Sequence, residues 1–288
     1  MTNAIKKDGT IKTNRKYTSS FVVGFIFLLL FAFISLFPLF LVLINSFKTH
    51  AQILANPLSF PTELNFKNYV YTWEFGGFSE GFINSIKVTS TAIIINMLAS
   101  AGMGYVLAER KVKLWKVYTF YFLVATTVPL QMFMLPLYSS FVQLKLIGNV
   151  YAVGVVIAAW NLPMPIFLMR TYFLKVPREL EEAARIDGCN TFKVFTNVML
   201  PIVSPGLITV AVIVGLFSWN EYLLSTTLLQ GEKNFTATLK FKNLNGTFSR
   251  SFDVIMAGAV IMVVPMIVVF LLLQRKFIEG MASGAVKG

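Results

Sequence analysis

Few side chains in this sequence can do covalent chemistry. It holds one histidine, His50, and one cysteine, Cys189, so no disulfide forms within the chain. With neither a Cys-x-x-Cys pair nor a histidine cluster, a protein metal site is not expected. A Gly-x-x-x-x-Gly-Lys-Ser/Thr loop is also missing, so the chain itself is not expected to bind ATP. Its apolar stretches contain no paired aspartates, His-Glu-x-x-His helix or Ser–His arrangement, which argues against a membrane enzyme. Recognition chemistry remains. Trp219 and Asn220 are adjacent, and Asn96, Thr127, Gln131 and Asn161 are scattered through other apolar runs. An amide both donates and accepts, and an indole offers a flat stacking face. Each also has a plainer role: an amide bonds a neighbouring helix, and an indole fills space or anchors at a membrane interface. Glu221 is expected near a membrane boundary, paired with a base or facing water.

The elements that must position these groups are apolar helices. Hydrophobic residues make up 56% of the 288 and charged residues only 13%, against about 25% charged in soluble domains. Mean hydropathy is +0.69. Six segments reach the ~20 apolar residues that a helix needs to cross a bilayer. They are Phe21–Ile44, Phe82–Leu107, Val117–Leu137, Tyr151–Phe173, Val203–Leu228 and Val254–Leu273. The expected fold is therefore all-α, a polytopic membrane protein of six transmembrane helices. A 1–20 tail precedes the six-span domain 21–273, and a 274–288 tail follows it. The first span has a basic flank but is too long for a signal peptide, and no small-residue cleavage site follows it. Pro129, Pro136, Pro163 and Pro165 fall in the third and fourth spans, where they bend helices. The run Ala99 to Gly104 reads as a close packing face.

The net charge of +12 does not mark a nucleic-acid binder, because the basic residues sit in short runs between apolar segments. Alternate polar segments carry 17 basic residues against 7, counting Arg170 with the segment that it adjoins and leaving Lys87 within a span. The richer set includes both ends, so both termini are expected in the cytoplasm. Residues 45–81 and 229–253 then face outward, and the first of these has room for an ordered cap.

The 174–202 segment is far longer than a hairpin between neighbouring spans requires. Pro177 suits a helix start, and Glu179, Glu181 and Glu182 follow where the helix dipole favours anions. Gly188 fits a left-handed stop, and Asn190 or Thr191 can cap a second short helix that Pro201 interrupts. Leu180, Ala183 and Ala184 share a small apolar face suited to a partner's groove. From the residues alone, a solvated connecting helix is as good a reading as a docking helix.

Val176 to Pro201 resembles the cytoplasmic loop of binding-protein-dependent ABC importer permeases. That loop reads Glu-Ala-Ala, three residues, Gly, nine residues, Ile-x-Leu-Pro. Glu182, Ala183, Ala184, Gly188, Leu200 and Pro201 match at this spacing, with Val198 standing where Ile is usual. Ser218 to Tyr222, the pair Asn84-Ser85 and the terminal Gly284 to Gly288 are similar to the carbohydrate-type branch, particularly the maltose-system G subunit. The resemblance runs from about residue 20 to the end and implies a mechanical role. The short helix would seat in a cleft on a cytoplasmic ATPase, with Glu182 making polar contact, Ala183 and Ala184 allowing close approach, and Gly188 permitting the turn. Two such ATPase subunits would bind the ATP and Mg. A second, non-identical permease and an extracellular or periplasmic solute-binding protein would complete the importer in a bacterial cytoplasmic (inner) membrane. A sugar presents hydroxyls and an apolar ring face, for which Trp219 and Asn220 are the first pathway candidates, ahead of Asn96, Gln131 and Asn161.

Two alternatives stay open. Within the same family the solute is sometimes not a sugar. Outside it, a self-sufficient secondary carrier normally shows repeated halves and a membrane-central carboxylate, and the sequence offers neither.

Overall fold

The structure is a computed structural model that describes residues 19–109, 112–247 and 251–285. All but the last two residues of the 1–20 tail lie outside it. So do Arg110, Lys111 and Arg250 of the basic count and Val286 to Gly288 of the terminal motif. Every regular element among the described residues is helical.

The order is α1 (Ser19–Ser46), α2 (His50–Ala55), α3 (Lys67–Phe75), α4 (Phe78–Glu109), α5 (Trp115–Ala125), α6 (Met134–Gln143), α7 (Val150–Asn161) and α8 (Pro163–Phe173). There follow α9 (Arg178–Ile186), α10 (Thr191–Lys193), a π-helical turn Val194–Met199, α11 (Leu200–Ile202), α12 (Ser204–Trp219), α13 (Leu223–Leu228), α14 (Ala237–Thr247) and α15 (Phe252–Ala285). Three stretches are single helices long and apolar enough to cross a bilayer: Phe21–Ser46, Phe78–Glu109 and Phe252–Gln274.

The other three expected spans are broken. Trp115–Ala125 and Leu130–Gln143 meet at 92°, Val150–Asn161 and Pro163–Phe173 at 56°, and Thr191–Ile202 and Ser204–Trp219 at 73°. Each break stands at or just before a proline (Pro129, Pro163, Pro205), which lacks an amide donor and crowds the residue before it. In the expected spans 117–137 and 151–173 the prolines do bend the helices, by enough to divide each into a pair. Correction is needed at 203–228. The helix stops at Trp219, and α13 is a separate element. In the expected 274–288 tail, α15 simply continues to Ala285.

Helix α4 is the centre, packed along α7, α8 and α12. Val88, Ala92, Val153, Ile157, Met169 and Val210 fill the core between them. The α1 helix lies against α15, and every residue from Phe21 to Phe40 is exposed. So long an apolar face requires lipid or protein around it rather than water.

Two caps close the N-terminal end of α4. In the first, Asn68 Nδ2 donates to the carbonyls of Ser46 (2.9 Å) and Lys48 (2.8 Å), so α3 is tied to the end of α1. Thr49 and Gln52 form a reciprocal capping box on α2. His50 Nδ1 accepts from the Phe252 amide at 3.1 Å, and the two rings stack, which fastens the cap to α15. In the second, Asn84 Nδ2 donates to the carbonyls of Lys233 (2.7 Å) and Phe235 (3.1 Å), and the Ala237 amide donates to Ser85 Oγ (2.9 Å). The Asn84-Ser85 pair therefore holds the 229–247 segment on the start of α4.

Candidate functional site

The α9 segment begins after Pro177, which stands as the N-cap with Arg178 the first helical residue. Its end is a Schellman motif. The Cys189 amide donates to the Ala184 carbonyl (3.0 Å) and the Gly188 amide to the Arg185 carbonyl (3.0 Å), with Gly188 at φ +83°. Asn190 rather than Thr191 caps the next helix, its side chain accepting from the Lys193 amide at 2.9 Å. The expected interruption at Pro201 is corrected: the π-helical turn runs into α11 through Pro201, whose missing donor is tolerated in a first helical turn, and the break falls at Val203.

The expected apolar face is divided by the fold. Ala184 is buried in the core beside Val194, whereas Leu180, Glu182, Ala183 and Pro201 are exposed and Leu200 is half-buried. The shared face of Leu180, Ala183 and Ala184 is therefore corrected: α9 packs back on the π-turn through Ala184. Two further apolar side chains flank the Gly188 turn, Ile186 at 86% exposure and Phe192 at 73%. Sequence reasoning missed both, though an isolated Ile and Phe bracketing a polar turn were a visible signal.

A second missed feature lies on the inner side. Glu181 is buried (4% exposed), and its Oε1 accepts from Arg185 Nη2 at 2.6 Å, Arg185 Nε at 3.0 Å and Tyr105 Oη at 3.3 Å. Hydrogen bonding to Glu181, opposed by a smaller desolvation, raises the Arg185 guanidinium above its ordinary range. Tyr105 comes from α4 and packs edge-on against Phe173, with Phe195 beside it. The Glu181–Arg185 spacing of four was legible as a helical ion pair, but the Tyr105 contact was not.

The polar pathway candidates do not converge. Trp219 is the last residue of α12 and packs edge-on against Phe82 at 5.5 Å. It borders an open, largely apolar groove of about 510 Å³ between α4, α12 and α15, with Ile93, Met97, Gly215 and Met266 among its walls. Among the described residues the buried indole Nε1 has no hydrogen-bond partner. Asn220 caps α12 and donates to its own helix at the Leu216 carbonyl (2.9 Å). The Asn161 amide likewise bonds its own helix, at the Ile157 carbonyl (3.0 Å). Asn96 is buried and bridges α4 to α7. Gln131 sits exposed in the break between α5 and α6. Among the described residues Glu221 pairs with no base, and it does not simply face water. Its carboxylate accepts from the Leu224 amide (2.6 Å), the Ser225 amide (2.9 Å) and Ser225 Oγ (2.7 Å), capping α13. Beyond it the Lys242 ammonium meets the Tyr222 hydroxyl.

Residues 100–283 match the family of binding-protein-dependent transport system inner membrane components. Among individual proteins, the chain is 33% identical over 270 residues to the arabinooligosaccharides transport system permease protein AraQ of Halalkalibacterium halodurans, covering 92% of this chain and 95% of that one. It is 31% identical over 253 residues to the melibiose/raffinose/stachyose import permease protein MelC of Bacillus subtilis, covering 87% and 91%. In fold it is similar to a chain of a bacterial ABC transporter involved in the import of the acidic polysaccharide alginate. There the TM-score is 0.78 at 22% identity, over 93% of this chain and 100% of that chain. The matched region contains α9, the Gly188 turn and the broken helices around them, and on that match the chain belongs to the family of binding-protein-dependent transport system inner membrane components.

Proposed function

We propose that this chain is one of two non-identical permease subunits of an ATP-driven importer for a sugar or oligosaccharide. The observation that carries the reading is the α9–Gly188 turn. It presents Leu180, Glu182, Ala183, Ile186 and Phe192 outward while Ala184 and Glu181 root it in the bundle. A connecting loop needs neither the anchorage nor the exposed apolar side chains; a docking surface for an ATPase needs both. The sugar assignment is supported by relatives named for arabinooligosaccharides and for melibiose, raffinose and stachyose.

In this reading the three long helices and three bent pairs are six spans, with both termini in the cytoplasm of a bacterial cell and the molecule in its inner membrane. The tiers at the two ends of α4 then face opposite compartments. Asn84 and Tyr105 are 21 residues apart, about 32 Å along a helix, which matches the ~30 Å hydrocarbon thickness. The caps near Asn84 face the solute-binding protein, and α9 faces two ATPase subunits that bind ATP and Mg. Closure of the ATPases drives alternating access between the permeases. Of the polar candidates, Trp219 is retained beside the solute path because it borders the groove. Asn96, Asn161 and Asn220 serve helix structure, and Gln131 sits at a bend.

The test is affinity purification of the chain in mild detergent from its native host. Recovery of an ATPase and a second permease, with ATP hydrolysis stimulated by an oligosaccharide and its binding protein, is the expected result. A stable assembly of this chain alone that passes solute without ATP contradicts it.

A further inference from the structure

A helix at the surface would ordinarily leave its glutamates in water. On α9, Glu182 is exposed but Glu181 is buried, and a buried carboxylate is tolerated only where donors replace its hydration. Donors reach it from α9 itself and from α4. Arg185, one turn along α9, supplies a two-pronged contact to Oε1 at 2.6 and 3.0 Å, and α4 supplies the Tyr105 hydroxyl at 3.3 Å. The Tyr105 ring is itself fixed between Phe173 of α8 and Phe195 of the π-turn, with centroids 5.5 and 5.3 Å away. One oxygen thus joins the docking helix to the central helix of the bundle. Ala184 adds apolar packing to this anchorage, and α9 also packs on the π-turn.

We propose that Glu181 and Tyr105 form a positioning link that transmits displacement of α9 to α4, so that ATP hydrolysis is converted into solute movement. This inference rests on the reading of α9 as the ATPase-docking element. Apolar packing is non-directional, whereas a hydrogen bond between two helices depends on their relative position and angle. Arg185 holds the carboxylate in place through two contacts, and its own side chain remains 38% exposed. The link therefore lies directly beneath the surface on which a partner seats.

The experiment uses the complete importer purified from its native host and reconstituted in liposomes, and it reads solute imported per ATP hydrolysed. Tyr105→Phe keeps the ring and removes only the hydroxyl, and Glu181→Gln keeps the shape and removes the charge. Each is expected to leave subunit ratios unchanged and to lower the import-to-hydrolysis ratio by about threefold or more, the size expected for one lost hydrogen bond. The double variant should fall no further than the worse single one, because both remove the same link. Phe173→Leu, which loosens the packing and spares the hydroxyl, should lower melting temperature while leaving the ratio near wild type. An unchanged ratio in Tyr105→Phe, with wild-type import still dependent on ATP, overturns the link alone. A Phe173→Leu effect equal to that of Tyr105→Phe also overturns it, because general loosening would then account for both. Wild-type import that needs no ATP overturns the docking reading and the link together.

Discussion

Asn96 of α4 donates its side-chain amide to the Ala158 carbonyl of α7 at 3.1 Å and to its own Ala92 carbonyl at 3.0 Å, one turn before the bend between α7 and α8. Pro163 and Pro165 remove the amide donors that the Ala159 and Asn161 carbonyls would otherwise use. Leu162 keeps helical dihedrals (φ −54°, ψ −38°) immediately before Pro163, a conformation that a following proline disfavours. Asn96 therefore braces α7 one turn before a bend that the prolines open.

Asn96→Leu should lower stability by about 1–3 kcal/mol, since a buried carbonyl loses its donor. Asn161→Leu removes only a bond within one helix and should cost less than about 0.5 kcal/mol. Melting of the purified protein in detergent distinguishes them, and equal losses would contradict the bracing role.

Gly188 stands at φ +83°, and a Cβ added there would meet nothing within 4 Å. A substitution therefore acts through backbone strain rather than crowding. Gly188→Ala should cost about 1–2 kcal/mol at the turn, Gly188→Val more, and Gly188→Asn least, because Asn tolerates this region. ATP-dependent uptake should rank in the same order. Equal uptake by the Val and Asn variants would show that the left-handed turn is dispensable.

The small-residue run on α4 is not uniform. A Cβ on Gly104 would lie 2.8 Å from Met169 Cβ and 2.9 Å from the Arg170 amide nitrogen, whereas one on Gly102 meets nothing within 4 Å. Gly104→Ala should push α4 and α8 apart at a cost of about 1–3 kcal/mol. Gly102→Ala should stabilise the helix by about 0.5–1 kcal/mol. Opposite shifts in melting temperature are the expected result.

Lys48 is fully buried in the first cap, where its ammonium meets the carbonyls of Asn56 (3.1 Å) and Pro57 (3.4 Å). Burial lowers its pKa from 10.5. The unfolded chain keeps this proton to higher pH than the folded one, so between the lowered value and 10.5 stability rises with pH. Below that window the cost of the buried charge is fully present. The melting temperature of wild type relative to Lys48→Met should therefore climb as pH approaches 10.5. A difference independent of pH would show that the amine is already neutral or solvated.

The first, second and sixth apolar runs were legible because each is one long helix. The prolines of the third and fourth runs announced a bend but not its size, and the break at Val203 was not legible, since hydropathy averages across a proline while the backbone cannot. Gly188 and Asn190 carried their roles in their own chemistry, as turn glycine and cap. Adjacent Glu181 and Glu182 could not be told apart in sequence; the inward one meets Tyr105, 76 residues away. Asn220 and Glu221 were read as members of a span. The helix ends between them instead, so one caps α12 and the other α13.

The most direct test of the central claim is uptake of radiolabelled oligosaccharides by the native host with this chain deleted and then restored. The account predicts that uptake of at least one oligosaccharide disappears on deletion and returns with the wild-type chain. That uptake should stop when ATP is depleted and should persist when the ion gradient is collapsed with ATP maintained. Uptake that survives ATP depletion but fails with the ion gradient would contradict it.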